Sequence, residues 1–242
     1  MNQFPTVVLD EYCDGLLDRV QQFAPTFLFK RIAGYLSDPG VAADELHRLL
    51  LSRSYVGPFV IVSPSFGAYT ALLYASKYRD SVAGLILVDP SHPRQGPVAL
   101  EVLPPEKEIV SPSVAKFRSS FAGFGPTWDE GCRLVSSIES LWDIPLVVLA
   151  AGRPEAPSDL PVGTYDRLVK DRHLLLEDYA KLSSRGEVRI IPDVGHGITV
   201  DAPEVVCRAI SEMITNIRSK RPNLESSAAT HSSTARNALD LT

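Results

Sequence analysis

The sequence is poor in cysteine: three thiols, Cys13, Cys132 and Cys207, are scattered over 242 residues. An odd, widely spaced set fits free thiols in a reducing compartment and argues against a disulfide framework or a Cys-based zinc site. Positive charge is not in excess, since 24 Lys and Arg stand against 29 Asp and Glu for a net charge of −5. That balance argues against a nucleic-acid-binding surface. No apolar run approaches about 18 residues, so no membrane span is expected. Met1–Pro5 shows no basic region followed by an apolar stretch, so no secretory leader is expected. Phosphate-loop and dinucleotide-binding glycine motifs are missing, and no His, Asp or Cys cluster has ligand spacing. Neither a cofactor nor a metal is therefore expected. What is present is an ordinary globular composition, 45% hydrophobic and 22% charged, long enough to bury a sizeable core in one cytoplasmic domain.

Six short apolar runs read as buried strands: Val7–Leu9, Phe27–Phe29, Phe59–Val62, Leu85–Val88, Leu146–Leu149 and Val188–Ile191. They are rich in Val, Ile and Leu with little polar alternation, as parallel strands covered on both faces are. Helical spacing separates them. Ala42, Leu46, Leu49 and Leu50 share one face after Asp38-Pro39-Gly40; Ala68, Leu72 and Ala75 share another. Tyr165, Leu168, Leu175, Tyr179 and Leu182 mark a third helix. Val206, Ile210, Met213 and Ile217 mark the last, with Asp201 and Glu204 at capping-box spacing. Alternation of this kind implies an α/β fold with a mostly parallel sheet of about six strands. Residues 91–143 interrupt the rhythm: Trp128, Cys132, Val135, Ile138 and Trp142 suggest a helix there, and Pro104-Pro105 a loop. This insertion is a candidate lid. Residues 1–221 are expected to form the single domain and residues 222–242, with little apolar content, a flexible tail.

The densest chemical signal is Val60-Ile61-Val62-Ser63-Pro64-Ser65-Phe66-Gly67-Ala68. A buried strand meets a helix with Ser65 at the junction and small residues two positions to either side. This is the pattern of a nucleophile elbow, in which a sharp turn exposes the serine at a helix N-terminus. A helix-capping serine would give the same local sequence. The second signal is Asp193-Val194-Gly195-His196-Gly197, between the last strand and the last helix. His196 is placed to act as a base toward Ser65, whereas His47, His92, His173 and His231 have no comparable setting and are expected to be structural or exposed. A carboxylate to orient the imidazole could come from Asp89, after the fourth strand, or from Glu155, after the fifth.

In this order, the segments resemble the α/β-hydrolase fold superfamily, specifically its small single-domain serine hydrolases with a helical lid. Pro5–Asp10 resembles the strand leading to the oxyanion loop, and Arg31–Gly40 the Asp-Arg-x-Gly-x-Gly-x-Ser stretch. Gly57–Gly67 resembles the elbow; Gly84–Pro93 and Gly195-His196 complete the set. The resemblance runs from about Pro5 to Ser219, and the first strand pair of the fold is expected to be missing. It implies Ser65 as nucleophile, His196 as base, and Asp89 as acid with Glu155 the alternative. Oxyanion donors would be the N–H groups of Phe66 and of Tyr12 or Glu11.

Two departures qualify this expectation. Ser63 replaces the usual elbow glycine, and Asp10-Glu11-Tyr12-Cys13-Asp14-Gly15 replaces a glycine-rich oxyanion loop. Carboxylates from Asp10, Glu11 or Asp14 near a developing oxyanion would repel it, and losing one donor costs about 3–4 kcal/mol in barrier. The expected function is hydrolysis of an ester, thioester or lactone of an apolar small molecule, in secondary metabolism. The alternative is a non-hydrolytic lyase, isomerase or cyclase in small-molecule biosynthesis; a third, a ligand-binding protein with a dead site, runs against the intact Ser65 and His196. Phe117, Phe121, Phe124, Trp128 and Trp142 of the insertion suggest an apolar pocket. The lid and the sheet edges leave room for a homodimer, which the sequence does not decide.

Overall fold

A computed structural model describes residues 5–32, 37–109, 111–123 and 125–219. Phe124, His231, the middle of the Arg31–Gly40 stretch and the expected tail at 222–242 lie outside the described residues. The chain runs β1 (Val7–Asp10), a 3-10 turn (Glu11–Leu16), α1 (Leu17–Gln21), β2 (Thr26–Phe29), α2 (Pro39–Ser52), β3 (Phe59–Pro64), α3 (Gly67–Lys77) and β4 (Val82–Val88). It continues with α4 (Gln95–Val102), α5 (Pro112–Ser119), α6 (Pro126–Ser136), β5 (Leu146–Ala151), α7 (Thr164–Lys181), β6 (Gly186–Ile191), α8 (Ile198–Asp201) and α9 (Pro203–Ser219). All six expected strands are present and form one sheet in the order β2-β1-β3-β4-β5-β6, with every neighbouring pair parallel.

Two-residue periodicity sorts the strand side chains into two cores. Val8, Ile61, Leu85, Leu87, Val148 and Ala150 pack against α2, α3 and α7 on one face. Val7, Leu9, Val60, Val62, Ile86, Val88 and Leu149 pack against α1, α8 and α9 on the other. The inner strands β3, β4 and β5 are buried nearly throughout, as their unbroken apolar runs require. β6 is a correction: its residues are half-buried or exposed, because an edge strand has one neighbour, and Arg189 spans outward to Glu187 and Glu212.

Local chemistry sets the helix ends. Asp38 caps α2 by accepting from the N–H groups of Gly40 and Val41, with Pro39 at the first helical position. The capping box expected at Asp201 does not form; Asp201 ends α8 and α9 starts afresh at Pro203. Between β4 and β5 the chain places α4, α5 and α6. The aromatic helix of this insertion stops at Ser136, so Ile138 and Trp142 fall beyond it. Trp142 packs its ring under the Arg79 guanidinium, 4.6 Å away, and does not line the cavity beside Ser65.

Strand order reverses beside β1, which has β2 on one side and β3 on the other. Ligands of open parallel sheets bind at the carboxyl ends of strands flanking such a reversal. That rim carries Asp10, Ser65, Asp89, Glu155 and His196. Leu87, fully buried in β4, is expected to cost about 2–5 kcal/mol when changed to Ala. Ile190→Ala, on the half-exposed edge strand, should stay within about 1 kcal/mol. Urea unfolding of both variants checks the contrast.

Candidate active site

Ser65 follows β3 and has φ = 49°, in the left-handed region. Non-glycine residues avoid this region at a cost of about 1–3 kcal/mol unless the surroundings enforce it. Here they do. Ser65 N–H donates to the Val88 carbonyl at 3.0 Å, and its own carbonyl accepts from Ser91 N–H at 3.1 Å and Ala68 N–H at 3.2 Å. The turn also needs a bare Cα at Gly67. A Cβ there would lie 2.6 Å from Asp10 Oδ2 and 2.8 Å from both Arg31 Nη2 and Ser63 Oγ.

The strained backbone points Ser65 Oγ at His196 Nε2, 3.1 Å away. His196 Nδ1 lies 2.6 Å from Asp89 Oδ2, so the imidazole donates to the carboxylate and presents Nε2 as acceptor to the hydroxyl. Asp89 sits at the end of β4 with φ = 41°, a second left-handed residue on the same rim. Its other oxygen accepts from Ala151 N–H at 3.0 Å and pairs with Arg172 Nη2 at 2.8 Å. Burial pushes the Asp89 carboxyl up, but the His196 hydrogen bond, the Arg172 charge and the Ala151 N–H together hold it below the usual carboxylate range.

Glu155 plays a different part from Asp89. Its carboxylate accepts from the His196 backbone N–H at 3.3 and 3.4 Å and does not reach the ring. Gly195 makes room for it, since a Cβ there would lie 2.1 Å from Glu155 Oε1. Of the two candidate carboxylates, Asp89 meets the imidazole and Glu155 fixes the loop that carries it.

The oxyanion side corrects two expectations. Tyr12 N–H donates to Asp10 Oδ1 at 3.3 Å, capping the 3-10 turn, and Tyr12 does not line the cavity beside Ser65. The acidic loop is also not an open negative patch. Asp10, buried, pairs with Arg31 and accepts from Ser63 Oγ–H at 3.0 Å; Glu11 takes the other Arg31 nitrogen at 2.5 Å. The hydroxyl at the usual glycine position therefore ties the elbow strand to β1. Burial still raises the Asp10 carboxyl, against the opposing charge of Arg31. Phe66 N–H, the first peptide after Ser65, lies at the α3 N-terminus, where the helix dipole favours negative charge.

Above Ser65 opens a cavity of about 390 Å³. Val98, Phe117, Phe121 and Trp128 of the insertion form one wall, and Leu168, Val169 and Leu175 of α7 the other. Trp128 stacks on Phe66 at 5.1 Å, which joins the insertion to the elbow. Polar groups gather at the Ser65 end: Ser91, Gln95, Arg172 and His196. The other histidines sit elsewhere. His47 stacks on Tyr78 at 3.8 Å, and His173 Nε2 lies 3.0 Å from the Ala151 carbonyl. His92 is buried, which pushes it down to about 4.

Arg31 and Arg172 are the functional neighbours that sequence reasoning missed. Arg172 carried a signal, because it falls four residues after Leu168 and three before Leu175, a charge on an apolar stripe. Arg31 ends an apolar strand and gave no sign of which carboxylates it would meet.

A family profile for the alpha/beta hydrolase family matches residues 9–209. The chain belongs to the alpha/beta hydrolase family. No sequence among curated proteins matches it. Solved structures share this hydrolase fold at low identity. A thermophilic esterase from Thermogutta terrifontis is 19% identical, with 89% of this chain and 91% of that chain covered and a TM-score of 0.55. A probable hydrolytic enzyme from Pseudomonas aeruginosa is 17% identical over 88% and 85%, with a TM-score of 0.57. A meta-cleavage product hydrolase from Pseudomonas fluorescens is 14% identical over 88% and 92%, with a TM-score of 0.52. Among the described residues of this hydrolase-family chain, no helix is long and apolar enough to cross a membrane, and no cluster of His, Cys, Asp and Glu could hold a metal.

Two outcomes are expected. Arg31→Met strands the Asp10 and Glu11 carboxylates and should cost about 3–5 kcal/mol in denaturant unfolding, because an uncompensated buried charge remains. The depressed Asp89 carboxyl stabilises the fold above the unfolded carboxylate value, about pH 4, and that stability fades as pH falls through its lower folded value. Asp89→Asn should therefore show a shallower acid-side loss of stability than the wild type when Tm is followed against pH.

Proposed function

We propose that this chain is a serine hydrolase that cleaves an ester, thioester or lactone of an apolar small molecule. The observation that carries the reading is the unbroken relay from Ser65 Oγ through His196 to Asp89, at 3.1 and 2.6 Å, opening into an apolar cavity. Ser65 Oγ attacks the carbonyl carbon while His196 Nε2 takes its proton. Asp89 holds Nδ1–H and stabilises the imidazolium that forms. Negative charge gathering on the carbonyl oxygen meets Phe66 N–H and the α3 N-terminus. His196 returns its proton to the leaving group, and water then repeats the attack on the acyl-enzyme. The base can exchange protons with solvent, since its side chain is 52% exposed while that of Asp89 is 1% exposed. In this reading the α4–α6 insertion is the lid, and its aromatic wall with α7 selects an apolar acyl or alcohol portion.

The commitment of Tyr12 N–H to Asp10 favours a second reading, a non-hydrolytic lyase, isomerase or cyclase on the same fold. Such an enzyme would use His196 and Asp89 for proton transfer without an acyl-enzyme. Reaction with a fluorophosphonate separates the two. Stoichiometric phosphonylation of the wild type at Ser65, none in Ser65→Ala, and hydrolysis of p-nitrophenyl esters support the first reading. Absence of both labelling and ester turnover overturns it. Under the hydrolase reading, Ser65→Ala and His196→Ala should each lower kcat by about 10⁵–10⁶-fold and Asp89→Asn by about 10⁴-fold. Glu155→Gln, which leaves the imidazole–carboxylate bond in place, should lose no more than about tenfold. Equal losses in Asp89→Asn and Glu155→Gln would contradict the assignment of the acid.

A further inference from the structure

Arg172 is an expensive residue where it stands. It lies on the face of α7 that Leu168 and Leu175 turn toward the cavity above Ser65, and its side chain is only 21% exposed. Its Nε is buried and has no hydrogen-bond partner among the described residues. A leucine would continue the apolar stripe without leaving a donor unspent. Among the described residues, the ion pair that the guanidinium makes is with Asp89 Oδ1, at 2.8 Å.

A carboxylate whose two oxygens are equivalent can turn about its terminal bond and exchange partners. In Asp89 the two oxygens are made inequivalent. Oδ1 takes Arg172 and Ala151 N–H, which leaves Oδ2 to His196 Nδ1.

We propose that Arg172 is a positioning residue: by holding Asp89 Oδ1 it commits Oδ2 to His196 Nδ1 and so fixes the imidazole that faces Ser65. This rests on the serine hydrolase reading for its consequence in catalysis, but not for its effect on the hydrogen bond. The charged groups around His196 are few. Asp89 faces the ring from β4 with Arg172 behind it from α7, and Ser65 faces it from the elbow. Glu155 meets its backbone, and Arg153, Asp193 and Asp201 are exposed on the adjoining loops and α8. His92, beside Arg172, is neutral above about pH 5, since burial holds it near 4. α7 keeps its other anchors without Arg172, because Tyr179 O–H donates to the Ser91 carbonyl at 2.6 Å two turns further along.

The test is the rate of fluorophosphonate inactivation at one fixed pH in the full chain, for wild type, R172M and R172K. R172M should lose about tenfold in rate, and R172K, which can still donate to Asp89 Oδ1, should recover most of that loss. Equal rates in wild type and R172M, or equal losses in R172M and R172K, overturn the proposal. Should R172M not fold, R172A, which removes the donor with less bulk, gives the same readout. The low-field NMR resonance of the His196 Nδ1 proton, identified by its loss in H196Q, needs no reactive serine. It should shift or broaden in R172M and persist in R172K. If the wild type takes no fluorophosphonate but this change is seen, the hydrolase reading falls and the role of Arg172 stands. If the resonance is identical in R172M, the role of Arg172 falls.

Discussion

A carboxylate sealed from solvent costs several kcal/mol unless donors replace its water, and Asp89 is sealed at the end of β4. Its donors come from three places: the last residue of β5, the middle of α7 and the loop after β6. These elements are distant in sequence and meet only if the sheet closes in its observed order. Satisfying Asp89 therefore fixes where β5 ends, which face of α7 turns inward and where the His196 loop lies. Ser65 is bound into the same unit, because its N–H donates to Val88 immediately before Asp89 and its carbonyl accepts from Ser91 just after it. The two left-handed residues on the rim, Ser65 and Asp89, are thus held by the same few hydrogen bonds. Strain at the one is supported by the ladder that supports the other.

A second buried aspartate stands on the other side of Ser65. Asp10 ends β1 as Asp89 ends β4, and both strands flank β3. Its partners are Arg31 from the end of β2 and the Ser63 hydroxyl. That arrangement explains the residue at the elbow: a glycine at position 63 would take one donor from a carboxylate that burial already makes costly. It also explains the absence of a side chain at Gly67, where a Cβ would fall among the same three groups.

The strands and the sharp turn at Ser65 were legible because both follow from local rules. Unbroken Val, Ile and Leu runs mark inner parallel strands, and small residues around Ser65 mark a sharp strand-to-helix turn. The helix faces at Leu46, Leu72, Leu175 and Ile210 were legible from spacing alone. Side-chain pairing was not. Nothing local distinguishes Asp89 from Glu155, since both follow a strand and precede His196; only the folded chain shows that the Asp89 carboxylate reaches the imidazole and that of Glu155 the backbone N–H. The acidic loop read as a repulsive patch because Arg31, its partner, lies about twenty residues on and reaches it only through the parallel pairing of β1 with β2. Trp142 misled for the opposite reason: its spacing continued the helical pattern past Ser136, while its backbone turns left-handed and sends the ring to Arg79.

The two aspartate–arginine pairs bear on what the site can stabilise. Arg172 opposes Asp89 alone, whereas Arg31 is shared by Asp10 and Glu11, so one carboxylate charge on the Asp10 side of Ser65 has no counter-charge within that cluster. The remaining local polarity is the α3 N-terminus and the Phe66 N–H, both of which favour an anion. Because that stabilisation comes from backbone, it requires no charged group on the ligand. The cavity agrees, since away from the Ser65 end its walls are the aromatic rings of the insertion and the aliphatic face of α7. Under the proposed hydrolase reading, a substrate bound there would gain affinity from apolar contact and be oriented by polar groups at its reacting end, which suits a neutral ester or lactone better than a highly charged metabolite.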